Sequence, residues 1–389
     1  MSPVGGVVIV GAGPAGLATA RAYREAGGQQ PVTILGAEAR PPYERPPLTK
    51  EFLRGEATES ELPIESDDWY FDNRVDLRAG ATAVALAPEL HLLTLEGGEE
   101  IPYDRCVLAT GSEPSRLPIP GGHDPGVLTI RTVEDSLALR DHGPRVAVIG
   151  SGFIGCEAAA SLAARGAEVT LVSDEPLPQS ARLGPEVGGR LAGWLEDAGV
   201  ALVLGTAVES VERVGGAWTV RAGDGLTVEA DTVVQAVGVA PRTALAESAG
   251  LRLDHGAIGT DSQMHTAAPD VLAVGDIAFA RNRAAGRRLR VEHWGEALNH
   301  GAVAGAVLAG QDAEWATAPG FWSTIGDRTL KYVAWGDGFA AVRIEAGEDG
   351  SLTAWYADAD GTCVGVFCHE RDEDYELGRE LVESGAPLL

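Results

Sequence analysis

Val7, Val8, Ile9 and Val10 form an unbroken aliphatic run, and glycines follow at 11, 13 and 16 before a stretch, 17–26, that can continue as a helix. A short apolar run bounded by glycine reads as a buried strand. Strand, G-x-G-x-x-G and helix in succession form the phosphate-binding turn of a dinucleotide fold. In that turn Gly11 permits the tight bend, Gly13 lets a pyrophosphate approach the backbone, and Gly16 lets the helix pack close to the strand. Pro14 and Ala15 belong to the same cofactor-binding turn, and the unpaired N–H groups of the helix N-terminus after it face the phosphates. A second aliphatic strand, Val32 to Leu35, leads to Glu38, which stands where a ribose-binding acid is expected, roughly 20 residues on.

The pattern then recurs. Val146, Ala147, Val148 and Ile149 precede Gly150, Gly152, Phe153, Ile154 and Gly155, with a helix expected over about 156–165 and a strand over 168–172. Asp174 and Glu175 follow that strand, and no arginine or lysine occurs over 170–181. Three further aliphatic runs end in glycine: the first at Ala109, Thr110 and Gly111, the second at Gly238, the third at Gly275 and Asp276. Glycine at a strand's end lets a bound ligand approach the backbone. Asp276 suits either a helix N-cap or a ligand contact at that edge. Residues 75–96, including Ala83, alternate enough for strands in a small antiparallel excursion, and the Pro/Gly-rich stretch 112–122 reads as a domain crossing.

A chain of 389 residues with 45% hydrophobic content is long enough for two or three domains. It contains no apolar run of membrane-spanning length. Its N-terminus enters a strand almost at once, without a signal-type segment, so a cytoplasmic location is expected. The net charge of −27 argues against nucleic acid or an anionic membrane as partner, and is equally compatible with salt adaptation or a biased genome. Cys106, Cys156, Cys363 and Cys368 form no C-x-x-C, so neither a redox dithiol nor a metal site is expected, and all four read as buried thiols. Of 30 basic residues only Lys50 and Lys331 are lysines. Lys50 closes the stretch Pro41, Pro42, Tyr43, Glu44, Arg45, Pro46, Pro47, Leu48, Thr49, a stiff loop just past the second strand. It is either a placed ammonium, compact and tunable, or the solvated end of a surface turn.

These motifs together resemble the ferredoxin reductases of the oxygenase-coupled (putidaredoxin reductase-like) type, within the glutathione-reductase-like flavoproteins. The resemblance rests on the first glycine turn, the proline loop to Lys50, Ala109-Thr110-Gly111, the second glycine turn to Glu157, Ala273 to Asp276, Val291-Glu292-His293-Trp294 and Phe321-Trp322-Ser323. It implies an α/β fold with two Rossmann-like dinucleotide-binding domains, the NAD fold inserted in the FAD fold, and a C-terminal α+β domain. The expected boundaries are 1–113 and 241–314 for the FAD-binding domain, 114–240 for the NAD(P)H-binding domain and 315–389 for the last. By resemblance Arg45, Lys50, Ala83, Arg131, Asp276 and Trp294 fall at flavin-contacting positions, Glu157 pairs with Lys50, and Phe153 borders the nicotinamide pocket. The chain departs from the family where Ser173 replaces a ribose-binding glutamate, where Glu113 and Ser115 dilute an arginine-rich segment, and at 324–327, beside the partner face.

The implied reaction passes a hydride from NADH to FAD and single electrons on to an iron–sulfur ferredoxin that feeds an oxygenase or cytochrome P450. Lys50 and Glu157 are the expected catalytic pair. An acidic ferredoxin would meet this acidic chain at a local basic patch, and Arg281, Arg283, Arg287, Arg288 and Arg290 supply one at 281–290. A monomer or weak dimer is expected. Two other classes share the pattern: an NADH oxidase or peroxidase, whose peroxide-reducing branch depends on a first-domain cysteine for which Cys106 is the sole candidate, and a slow flavin–nicotinamide interaction sensor.

Overall fold

The computed structural model describes residues 5–388. They form two compact units: Met1–Glu44 with Pro63–Glu113 and Ala240–Phe321, and Arg45–Leu62 with Pro114–Val239 and Trp322–Leu389.

The first unit is built on a five-stranded parallel sheet. In spatial order its strands are Val271–Ala273, Arg105–Leu108, Val7–Val10, Val32–Gly36 and Val75–Ala79. Val7–Val10 lies at the centre, buried on both faces, which is why it carries no polar residue. The register pairs Val10 with Leu35 on one side and Leu108 on the other, so the chain ends that follow all emerge at one edge. The helix Pro14–Glu25 packs along Trp294–Leu308. Close approach is possible there because Gly301 and Gly305 face Ala18 and Thr19, where any Cβ would collide with backbone. Strand Val75–Ala79 corrects the sequence expectation. It is the parallel edge of this sheet, and the antiparallel excursion is confined to Ala83–Ala87, Leu92–Leu95 and Glu100–Pro102. An edge strand exposed along part of its length alternates in polarity like an antiparallel one, and only its pairing separates the two.

The second unit holds a four-stranded parallel sheet in the order Val200–Val203, Glu168–Val172, Arg145–Ile149, Thr232–Gln235. An antiparallel meander, Val208–Val214, Ala217–Ala222 and Thr227–Ala230, packs its Trp218 and Val220 against Ala147, Ile149 and Val233. Towards the C-terminus a five-stranded sheet runs in the order Gly320–Ile325, Arg328–Ala334, Cys363–His369, Leu352–Ala357, Ala341–Ala346, with the helix Asp372–Ser384 against it. The proline loop belongs to this unit from Arg45 onward. Pro46–Thr49 is a 3-10 turn with its prolines at the first two positions, where a missing N–H costs nothing, and Lys50 joins it to the short helix Glu51–Arg54.

Candidate cofactor and catalytic site

In the first unit the glycine turn, Ala109, Gly111, Gly275 and Asp276 converge on the C-terminal edge of the parallel sheet. Such an edge is where open α/β sheets bind ligands. A Cβ on Gly11 would lie 2.0 Å from the Ala109 carbonyl oxygen, and one on Gly16 would lie 2.0 Å from that of Gly11. A Cβ on Gly13 would meet nothing within 4 Å. Two glycines therefore hold the turn together, and the third faces open space. The helix behind it starts at Pro14 with no side-chain cap and no acid in its first turn, so its N–H groups are left for a ligand of negative charge.

Glu38 receives the Tyr43 hydroxyl at 2.6 Å. Asp276, at the turn after Val271–Ala273, accepts a hydrogen bond from Ser112 at 2.5 Å. Thr110 donates to the Arg242 carbonyl. Trp294 is the first helical residue of Trp294–Leu308, and Ala83 starts its strand three residues beyond Gly80, whose N–H bonds the Glu38 carbonyl.

Sequence reasoning missed His300. It is fully buried, its Nδ1 accepts the Gly275 N–H at 3.3 Å, and the edge of Trp315 packs on its ring. Desolvation holds it down to about 3, so it stays neutral and acts as a fixed acceptor for the turn that presents Asp276. Its spacing on the helix gave no signal distinguishable from a core histidine.

The second unit repeats the glycine arrangement. Gly150 and Gly155 are locked against backbone, whereas a Cβ on Gly152 would find its nearest neighbours 3.8 Å away. The helix Phe153–Ala164 likewise starts without a side-chain cap or a first-turn acid. Ile154 is 46% exposed at its start, Asp174 is exposed beyond the neighbouring strand, and Gly238 follows Thr232–Gln235 with φ of 99°. Arg45 donates to the Arg131 carbonyl at 2.5 Å.

The same helix carries Glu157, and here the proline loop meets it. Lys50 Nζ lies 2.8 Å from Glu157 Oε2, with the two side chains only 10% and 5% exposed. Thr49 Oγ1 donates to the same oxygen at 2.5 Å. Glu157 Oε1 accepts from Ser323 Oγ at 2.7 Å and from the Thr324 N–H at 3.3 Å. One carboxylate thus receives four donors from the proline loop and the C-terminal sheet. A buried carboxylate is tolerable only when paired and saturated in this way. The roles of Thr49, Ser323 and Thr324 carry no motif, because they depend on which strand ends at residue 325.

The cysteines take no part. All four are buried free thiols. Cys106 sits inside its strand, and desolvation pushes it up to about 12, so it is not a thiolate at neutral pH. Among the described residues there is no cluster of His, Cys, Asp or Glu able to hold a metal.

The model of the family described as pyridine nucleotide-disulphide oxidoreductase matches residues 5–301. The chain belongs to that family. Within it, the chain is 36% identical over 387 residues to the ferredoxin–NAD(+) reductase component of the anthranilate 1,2-dioxygenase system of Burkholderia cepacia, covering 97% of this chain and 94% of the relative. It is 31% identical over 329 residues to a rubredoxin–NAD(+) reductase of Pseudomonas putida, covering 84% and 85%. The crystal structure of the covalent putidaredoxin reductase–putidaredoxin complex aligns with a TM-score of 0.91 at 29% identity, over 98% of this chain and 94% of that one. The family implies binding of FAD and NAD(H), and the two open glycine cradles suit two pyrophosphates.

Proposed function

We infer that this protein is an FAD-dependent NAD(P)H:ferredoxin reductase, taking electrons from a reduced nicotinamide dinucleotide and delivering them to a small iron–sulfur protein. Two glycine turns, each with one open cradle, together with the saturated Lys50–Glu157 pair, carry the reading from the geometry. Support comes from the relatives' names, one a ferredoxin–NAD(+) reductase component and another a rubredoxin–NAD(+) reductase. FAD belongs on the first glycine turn and NADH on the second. The boundaries that go with this are 1–113 and 241–314 for the flavin fold, 114–240 for the inserted nucleotide fold and 315–389 for the C-terminal domain.

When bound, FAD accepts a hydride and releases electrons one at a time. The backbone N–H groups of Gly13 and Ala15 would hold its pyrophosphate, Glu38 would accept from its ribose, and Asp276, held by Ser112, would accept from its ribityl chain. Lys50 favours the negative charge of the reduced flavin, and Glu157 fixes the ammonium so that it does not turn to solvent. Phe153 lines the nicotinamide side. The deciding experiment is anaerobic reduction by NADH followed by a panel of ferredoxins, rubredoxin, quinones and peroxide. Rapid electron transfer to an iron–sulfur protein is the expected result. A long-lived charge-transfer complex with no acceptor would point to a sensor instead. The peroxidase reading needs Cys106 as thiolate, so Cys106→Ser is expected to leave any peroxide turnover unchanged. A loss above tenfold would restore that reading.

For the partner we propose an acidic ferredoxin docking at the hairpin Ala278–Asn282 and Arg287–Arg290. Of its five arginines, Arg283 is spent on Glu314 at 3.4 Å and Arg290 on Glu292 at 2.7 Å. Arg281 and Arg288 stand directly opposite each other, and among the described residues no acid pairs with either. Like charges placed directly opposite are destabilising, so an anionic partner is a reason to keep both. Arg281→Glu with Arg288→Glu is expected to raise the KM for an acidic ferredoxin at least tenfold. Flavin reduction by NADH should not change. Wild-type turnover in a ferredoxin-coupled cytochrome c assay should slow with salt. Equal KM values in both proteins would move docking to another face. Among the described residues no helix is long and apolar enough to cross a membrane. A cytoplasmic enzyme, monomeric or weakly dimeric, is the setting we propose.

A further inference from the structure

We propose that Trp315 is a positioning residue that couples partner docking to flavin binding, by joining the arginine hairpin to the turn that presents Asp276. This coupling rests on the hairpin Ala278–Asn282 and Arg287–Arg290 being the docking site for an acidic ferredoxin. Trp315 lies in the segment 311–319, which has no regular structure and runs between the helix Trp294–Leu308 and the strand Gly320–Ile325.

A segment without a ladder of its own must satisfy its backbone elsewhere, and this one does so on the hairpin. The Arg283 N–H donates to the Trp315 carbonyl at 2.9 Å, and the Asn282 side-chain amide donates to the Thr317 carbonyl at 2.9 Å. Successive strand residues face opposite ways. Arg281 is exposed on the outer face, and Asn282 beside it is fully buried on the inner one. Asn282 Oδ1 also accepts the Ala285 N–H at 3.0 Å, so one side chain holds both the hairpin's bend and the segment. The face offered to a partner and the face that grips 311–319 are two sides of the same strand.

Trp315 carries the connection inward. It is 1% exposed, its N–H donates to the Ser262 carbonyl at 2.8 Å, and its Nε1 donates to Glu296 Oε2 at 2.7 Å. Glu296 is also buried, in the first turn of the helix that Trp294 opens, and its other oxygen accepts from Asn299 at 2.9 Å. The indole meets the His300 imidazole edge to face, with ring centroids 4.4 Å apart. His300 Nδ1 accepts the Gly275 N–H, so the proton of the neutral ring is on Nε2. Among the described residues that buried Nε2 has no hydrogen-bond partner. The imidazole is therefore held by one hydrogen bond and by packing, and the indole is a fixed wall of that packing. Movement of Trp315 would turn the ring and loosen its bond to Gly275, the residue before Asp276. Networks of packed side chains and hydrogen bonds of this kind carry energetic coupling between sites. Such coupling is reciprocal: whatever factor FAD adds to partner affinity, the partner adds to FAD affinity.

The test measures FAD release from the holoenzyme, with free flavin separated by ultrafiltration, with and without saturating oxidised acidic [2Fe–2S] ferredoxin. In wild type the ferredoxin is expected to lower the Kd for FAD by about fivefold or more, the lower end of typical coupling. Trp315→Phe keeps an aromatic ring but loses the bond to Glu296, and should bring that factor to within about twofold of unity. Asn282→Ser frees Thr317 at the other end and should do the same, which covers a Trp315→Phe protein that fails to fold. A wild-type factor near unity overturns the coupling. So does a factor that persists in the folded variants, even if both affinities fall, since Trp315 would then be structural only. Unchanged ferredoxin affinity in Arg281→Glu with Arg288→Glu would instead overturn the docking reading, and the coupling with it.

Discussion

Lys50→Gln is expected to slow flavin reduction by saturating NADH at least tenfold while changing FAD affinity by much less. The lysine gives Glu157 Oε2 a charge-assisted hydrogen bond at 2.8 Å in a buried setting, and such bonds contribute roughly 1.5–3 kcal/mol. Glutamine can still donate an N–H to that oxygen, and Thr49, Ser323 and the Thr324 N–H remain in place. The substitution therefore removes the positive charge and spares most of the hydrogen-bond network. A tenfold rate loss corresponds to about 1.4 kcal/mol of lost stabilisation. Stopped-flow reduction reports the rate, and thermal unfolding of the same samples reports the fold. An unchanged rate alongside lowered stability would make Lys50 a structural ion-pair partner only. The complementary substitution is Glu157→Gln, which leaves the ammonium buried beside a neutral amide and should weaken reduction by freeing its orientation.

The largest effect is expected at Gly13. Gly13→Glu should give a folded, colourless protein with FAD affinity reduced more than a hundredfold. The space beyond Gly13 is empty of protein atoms to 4 Å, so the new side chain strains nothing and instead sets a carboxylate where the phosphates must lie. The same change at Gly11 or Gly16 would collide with backbone and could not separate folding from binding. Far-UV circular dichroism should match that of flavin-stripped wild type. The unfolding free energy should drop by no more than the ligand's linkage contribution, about 2.7 kcal/mol at a hundredfold excess over Kd. Gly152→Glu is the counterpart: yellow protein whose flavin NADH no longer reduces. Full flavin occupancy in Gly13→Glu would remove FAD from the first turn.

Both glycine turns were legible because their chemistry is local: strand, turn and helix are contiguous, and the periodicity marks each. The thiols were legible too: Cys106, Cys363 and Cys368 lie in strands and Cys156 in the helix Phe153–Ala164, each within an apolar run that is buried. What could not be seen depended on partners distant in sequence. Val75–Ala79 reads as antiparallel until its pairing with Val32–Gly36 is known. The basic run at 281–290 counts five charges, yet Glu292 and Glu314 from outside it engage two of them. Ser173 looked like a missing ribose contact, but it is a buried tie to Ser151, which only the distance between their hydroxyls reveals.

The discontinuous make-up of the two units bears on how the protein is born. Neither unit is a contiguous segment, since each takes pieces from early, middle and late in the chain. During synthesis at about 5–20 residues per second, the strand Arg105–Leu108 must wait for its sheet partner Val271–Ala273 to emerge. Glu157 must wait longer still for Ser323 and Thr324, so until then its carboxylate lacks two of its four donors. Closing such long loops is slow relative to forming local structure. The nascent chain therefore spends most of its synthesis with both parallel sheets incomplete and apolar edges uncovered, which makes it a natural client for holding chaperones. Deleting the last strands should abolish soluble expression of the whole chain rather than release a stable shortened enzyme.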